Sequence, residues 1–111
     1  MILFKPELVE KIRTGEKTQT RRLWKLARVK AGSIHQVNTS YFTKTDLRIR
    51  ILRVWEENPL LISDHDAVAE GFRDRYEFLE YYLRLNAGRM LQSTDRRHYA
   101  VEFELAEMGQ P

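Results

Sequence analysis

The segment from Gly15 to Arg22, with the sequence GEKTQTRR, places cations and hydroxyl groups close together and contains no apolar residue to bury. Lys17 supplies a point charge, and Thr18 and Thr20 supply hydroxyl groups that can form hydrogen bonds. Arg21 and Arg22 supply planar guanidinium groups that fit a phosphate or the edge of a base. Composition alone leaves two interpretations of the segment open, a solvated polar strand and a functional site.

Further cations and aromatic side chains flank this segment. Residues 21–30 combine five Lys and Arg residues with Trp24, which either stacks on a nucleobase or packs into the core. Tyr41 leaves the same two alternatives open, whereas we expect Phe42 to lie in the core. The candidate residues for binding a nucleic acid or another anion are Lys17, Arg21, Arg22, Trp24, Arg48 and Arg50.

The surrounding pattern predicts the elements that position these residues. A helix is expected from Pro6 to a left-handed cap at Gly15, with Leu8, Val9 and Ile12 at helical spacing. It follows a short apolar segment at residues 1–4, which is expected to form an edge strand or an N-terminal clip. Gly32 and Ser33 are expected to form a turn before the next β-rich segment. Strands are predicted around residues 34–42, 47–55 and 98–105.

The central strand and the two late helices have their own signals. The alternation of apolar residues breaks at Ile51–Leu52, which indicates a bulge or a strand buried on both faces. A short helix capped by Ser63 or Asp64 is expected to end at Gly71, and a second should run from about residue 74 to a stop at residues 86–88. This order predicts an α+β fold, a small barrel or strongly bent sheet with peripheral helices.

Composition restricts the class of protein further. The 111 residues are expected to form one domain, 1–111, with a frayed tail at 107–111. Cysteine is absent, and His35, His65 and His98 are widely spaced, so we expect no metal site and no cofactor. The N-terminal residues do not resemble a signal peptide and no stretch is long and apolar enough for a membrane span. We expect a cytoplasmic protein whose oligomeric state the sequence leaves open.

Charge is distributed unevenly along the chain. Residues 1–53 contain 13 Lys and Arg against four Asp and Glu, whereas residues 54–111 contain six against twelve. Such asymmetry indicates an anionic partner that binds mainly to the first half, although the two halves could also pair with each other.

One motif and its setting resemble a known family. Gly15, Lys17, Thr20 and Arg22 form the pattern G-x-K-x-x-T-x-R, which follows FKPELVEKIRTG and precedes a terminal strand YAVEFEL. These features resemble the signature of the ASCH domain, and the resemblance extends over nearly the whole chain. It implies a PUA-like β-barrel of about five to six strands, with a cleft that is lined by the motif and binds RNA or nucleotides.

One branch of that family, small bacterial proteins, hydrolyses N4-acetylcytidine with a lysine, a threonine and a glutamate. The resemblance places these roles on Lys17, Thr20 and Glu70. The acidic position has three alternatives, which are Asp64, Asp66 and Glu77. Residues 24–30 depart from that branch, since this region is longer and more basic.

The leading hypothesis is an ASCH domain that binds single-stranded RNA or a nucleotide through a basic cleft. The alternative is an amidohydrolase that acts on N4-acetylcytidine or a similar modified nucleoside. A third reading is a small interaction domain with a vestigial cleft.

Overall fold

The computed structural model describes residues 1–92 and 95–106, so the predicted frayed tail at 107–111 lies outside the described residues. The elements in chain order are β1 (Ile2–Leu3), α1 (Pro6–Thr14), β2 (Gln19–Trp24), β3 (Ile34–Ser40), β4 (Thr43–Glu56), a single 3-10 turn (Pro59–Leu61), α2 (Asp64–Ala69), α3 (Arg75–Gln92) and β5 (Arg97–Leu105).

The strands form one mixed sheet in the order β1-β3-β4-β5-β2, which curves into a half-barrel accompanied by three helices. Strand β1 pairs in parallel with β3, and the other neighbours are antiparallel. The register of β4 on β5 shifts between Ile51 and Arg53, so the bulge predicted from the broken alternation is confirmed. A bulge bends and twists a strand, which helps the sheet to curl. The predicted α+β fold with a small β-barrel is confirmed.

The two edge strands of the half-barrel, β1 and β2, approach each other across its open side. Arg22 Nη2 donates a hydrogen bond to the carbonyl of Leu3 at 2.7 Å and links them. The Phe103 amide donates a hydrogen bond to the Thr18 carbonyl at 2.9 Å. Because the backbone groups of successive residues in a strand point to opposite sides, the even-numbered residues of β2 form backbone hydrogen bonds with β5. The backbone groups of Arg21 and Leu23 therefore point to the open side.

The main core lies inside the half-barrel. Leu47, Ile49 and Ile51 are buried there with at most 1% of their surface exposed. Because side chains alternate along a strand, Arg48 and Arg50 lie on the opposite, outer face of β4. A second cluster, formed by Ile62, Ala67, Phe78 and Tyr82, fixes α2 to α3.

Helix α1 begins and ends as the sequence predicts, with Pro6 in its first turn and Gly15 as a left-handed cap at φ 83°. Helix α2 is capped by Ser63, whose side chain accepts a hydrogen bond from the Asp66 amide. Gly71 follows it at φ 101°, a conformation that favours glycine.

Two predictions about the elements are wrong. Helix α3 continues through Gly88 to Gln92, because the buried Asn86 side chain donates to the Tyr82 carbonyl within the helix instead of capping it. Phe42 is 92% exposed rather than in the core, because it lies in the two-residue turn between β3 and β4. Within the described residues, no helix is long and apolar enough to cross a membrane.

Ile49→Ala should destabilise the protein by about 2–5 kcal/mol, because it removes a fully buried side chain and leaves a cavity. Urea unfolding measures this loss. Leu26→Ala, at a position that is 77% exposed, is the matched control and should change the free energy of unfolding by less than about 0.5 kcal/mol. Equal effects of the two variants would contradict the assignment of the core.

Candidate nucleotide-binding cleft

Lys17 is brought to the end of α2 by backbone hydrogen bonds on either side of it. After the Gly15 cap, the Lys17 amide donates to the Lys11 carbonyl at 2.9 Å, and the Thr18 amide donates to the Ala69 carbonyl at 2.7 Å. The chain between α1 and β2 is thus tied to the last turn of α2. This places Lys17 beside Glu70, although the two residues are far apart in sequence.

The Lys17 ammonium group has three acceptors. Its Nζ donates to the Gln19 carbonyl at 2.8 Å, to the Glu70 carbonyl at 2.6 Å and to Glu70 Oε1 at 3.0 Å. Both side chains are almost completely buried, at 2% and 4% exposure. Burial lowers the pKa of Lys17 from its ordinary value, while the carboxylate of Glu70 opposes that shift. The chain therefore places an ionisable pair at the floor of the cleft described below.

Arg21 holds the other oxygen of the same carboxylate. Its Nη1 donates to Glu70 Oε2 at 3.0 Å and to Gln19 Oε1 at 2.8 Å, and its Nε donates to Glu57 Oε2 at 2.7 Å. Asp66 lies 3.5 Å from Nη2. Because Arg21 is surrounded by protein carboxylates, its guanidinium positions Glu70 rather than presenting a free fork to an external anion. This argues against the predicted anion-binding role of Arg21.

The geometry separates Glu70 from the three alternative acids. Asp66 contacts Gln19 and Arg21 but not Lys17. The carboxylate of Asp64 accepts the Arg75 amide, and Glu77 pairs with Arg73 on the exposed side of α3. The catalytic role assigned to Glu70 stays a prediction, but of the four it is the acid that lies beside Lys17.

Thr20 and Arg22 point to the open side of the half-barrel. Arg22 Nε donates to Thr20 Oγ1 at 3.0 Å, and its guanidinium lies 4.8 Å above the ring of Phe4. Thr20 is buried, and within the described part of the chain no hydrogen bond joins it to Lys17. The structure thus brings the lysine and the carboxylate into contact, while the threonine pairs with a guanidinium.

A cleft of about 810 Å³ opens between the strand edges and α3, and Lys17, Thr20 and Glu70 all line it. Five further cations line it and form no ion pair with a carboxylate in the described part of the chain; they are Lys5, Arg22, Arg28, Arg89 and Arg96. Glu70 is the one carboxylate among the described lining residues, and Lys17 and Arg21 already pair with it. The free charge of the cleft is therefore positive.

The other three predicted binding residues, Trp24, Arg48 and Arg50, differ in their position relative to the cleft. Trp24 lines the cleft but is only 7% exposed and packs in the core, 5.8 Å from the ring of Tyr99. Its faces are therefore not open for stacking. Arg48 and Arg50 do not line the cleft, because they project from the outer face of β4, where Arg50 pairs with Glu104 at 3.1 Å. The structure thus gives no support for including these two arginines in the site.

One side of the cleft is formed by α3, which the sequence did not predict. Tyr81, Leu85 and Arg89 line the cleft at a spacing of four residues, which is one face of a helix. That spacing is visible in the sequence, but a tyrosine and a leucine on one face of a helix are as typical of a packed core as of the lining of a cleft. The expectation of a solvated side chain at Gln19 is wrong, because Gln19 is buried and joins Arg21 to Asp66.

Among residues 1–92 and 95–106, no group of three or more His, Asp or Glu residues is arranged to hold a metal ion. The expectation that the site needs no metal and no cofactor stays a prediction.

No protein-family model and no curated protein matches the sequence. The fold, however, is similar to solved structures. An ASCH domain from Lactobacillus crispatus JV V101 superimposes with a TM-score of 0.71 and 18% identity, covering 86% of this chain and 68% of the other. Protein EF3133 from Enterococcus faecalis V583, described by the family model DUF984, superimposes with a TM-score of 0.69 and 19% identity. This match covers 100% of this chain and 85% of the other. The chain has the fold of an ASCH domain.

Glu70→Gln should destabilise the protein by about 3–5 kcal/mol, because it leaves the buried Lys17 without its charged partner. Chemical unfolding at neutral pH measures the loss. The single variant Lys17→Met and the double variant Lys17→Met/Glu70→Gln complete the cycle. The double variant should lose less stability than the sum of the two single variants, by about 0.5–3 kcal/mol. Glu77→Gln, in the exposed pair with Arg73, is the matched control and should cost about 0.5 kcal/mol or less. Strictly additive single variants would contradict a coupled pair.

Proposed function

We propose that the cleft binds a nucleotide, either free or as part of single-stranded RNA. The observation that carries this proposal is the charge of the lining, in which five cations that have no carboxylate partner among the described residues accompany one carboxylate that is already paired. A concave surface of one sign focuses the electrostatic potential and attracts a ligand of the opposite sign. Phosphate is one of the anionic groups that the planar fork of arginine binds through two parallel hydrogen bonds.

The cleft also offers what a base requires. A volume of about 810 Å³ lies in the range of pockets that enclose small organic ligands. Tyr81 and Leu85 contribute apolar atoms to the lining, and Arg21 and Leu23 direct backbone donors and acceptors to the open side of the half-barrel. A planar ligand with a hydrogen-bonding edge is the kind of molecule that such a lining suits, with its phosphate at Arg22 or Arg89.

Arg89→Gln should weaken the binding of all four nucleoside 5′-monophosphates to a similar degree, because a phosphate contact carries no base specificity. For a single-stranded RNA trinucleotide, the slope of log K against log salt should become shallower by about 0.7. Calorimetric titration between about 50 and 200 mM salt measures both effects.

Arg84→Gln is the matched control for that experiment. Arg84 lies on the same helix but pairs with Glu80 and does not line the cleft. If wild type binds neither the mononucleotides nor the trinucleotide at millimolar concentration, the proposal is wrong. If the two variants bind equally well, Arg89 does not contact the phosphate.

A second candidate function is the hydrolysis of N4-acetylcytidine or a similar acylated nucleoside. The observation that favours it is the buried Lys17–Glu70 pair, because burying two charges is costly and such pairs are common at catalytic sites. Arg22 donates to Thr20 Oγ1 and would stabilise negative charge on that oxygen. Lys17, with its lowered pKa, would take up or return a proton once a ligand displaces one of its acceptors.

Thr20→Val tests this candidate, because valine keeps the shape of threonine and removes the hydroxyl. Incubation with N4-acetylcytidine should release acetate from the wild type, and the variant should be slower by about 100-fold or more. Nucleotide binding without acetate release would leave the binding function in place and exclude this activity.

A further inference from the structure

The turn between β3 and β4 exposes two aromatic side chains side by side. Tyr41 is 69% exposed and Phe42 is 92% exposed, and their ring centroids lie 5.1 Å apart in an edge-to-face arrangement. No other phenylalanine among the described residues is exposed to this degree. Exposing two neighbouring rings is unfavourable in water, so the turn presents an apolar surface that its own fold leaves uncovered.

The turn itself does not require these residues. Ser40 pairs with Thr43, which leaves a two-residue connection occupied by Tyr41 and Phe42. Glycine, asparagine and aspartate are the residues that favour such connections, and aromatic residues have no comparable advantage there. The aromatic pair therefore contributes little to the turn or to the core.

The hairpin holds the pair in place next to the cleft. Ser40 Oγ donates to Thr43 Oγ1 at 2.8 Å across its base, and Asn38 Nδ2 donates to the Ser40 carbonyl at 3.3 Å. Tyr41 lines the cleft together with Thr39, whereas Phe42 lies beyond it. The ring of Phe42 thus lies next to a side chain that lines the cleft.

We propose that Tyr41 and Phe42 form a second subsite, on which the base of the adjacent nucleotide of a single-stranded RNA stacks. This inference rests on the proposed function, because the first nucleotide must occupy the cleft. Base stacking on aromatic rings tolerates every base, and alternation of such rings with cations is typical of single-strand binders. The ligand is then an RNA segment of at least two nucleotides rather than a free nucleoside.

The charge around the cleft favours RNA over an apolar protein segment as the occupant. Lys5, Arg28 and Arg89 line the same cleft as Tyr41 without a carboxylate partner in the described part of the chain. A phosphate of a ligand in this cleft would therefore lie among charges of the opposite sign, whereas an apolar peptide would leave these cations unpaired.

The test compares ligand length at a constant base. Affinities of cytidine 5′-monophosphate and of the RNA trinucleotide CCC are measured by calorimetry for the wild type and for Tyr41→Ala, Phe42→Ala and Phe42→Leu. We expect the wild type to prefer the trinucleotide, and Phe42→Ala to weaken trinucleotide binding by roughly 5- to 100-fold with the mononucleotide unchanged. Phe42→Leu keeps an apolar side chain but loses the ring, so it should also lose most of the preference.

Tyr76→Ala is the matched control, since Tyr76 is 70% exposed but does not line the cleft, and it should leave both affinities unchanged. If Phe42→Ala and Tyr41→Ala leave the trinucleotide affinity unchanged, the subsite is excluded while nucleotide binding stands. An equal loss for both ligands would show that the hairpin belongs to the first site. A wild type that binds neither ligand overturns the proposed function together with this inference.

Discussion

The buried carboxylate of Glu70 is the interaction on which the arrangement of the site depends. One of its oxygens accepts from Lys17 and the other from Arg21, so a single side chain joins the segment after α1, strand β2 and the end of α2. A charge removed from water is stable only when it is paired and hydrogen-bonded. The packing of the helices against the open side of the half-barrel is therefore constrained by where these three charges can meet.

Gly71 shows how closely the backbone follows that constraint. A Cβ at this position would lie 3.2 Å from Lys11 Cδ and 3.7 Å from Lys17 Cβ, and the φ of 101° is itself unfavourable for other residues. The Gly71 carbonyl also accepts from Lys11 Nζ. The turn after α2 can thus come close to α1 and carry Glu70 into the site because this residue has no side chain.

The sequence was sufficient for features that depend on local patterns. The Gly15 cap, the bulge after Ile51 and the order of the elements follow from turn residues and from alternation. The extension of α3 beyond Asn86 and the exposure of Phe42 were not predicted, because the sequence Asn-Ala-Gly is also typical of a helix end and an aromatic residue in a β-rich segment is also typical of a core. Arg21 illustrates the same limit, because a guanidinium that contacts the carboxylates of Glu57, Asp66 and Glu70 is indistinguishable in sequence from one that is free to bind phosphate.

The open side of the half-barrel has a consequence for association between molecules. The edges of a sheet are templates onto which another chain can add a strand, and proteins usually protect them with charge or short length. Here β1 has only two residues, and the backbone groups of Arg21 and Leu23 in β2 face it across the cleft. The side chain of Arg22 bridges the two strands through its hydrogen bond to the Leu3 carbonyl. Because each edge is screened by the other, the gap that leaves room for a ligand also keeps the sheet from growing into a neighbouring molecule.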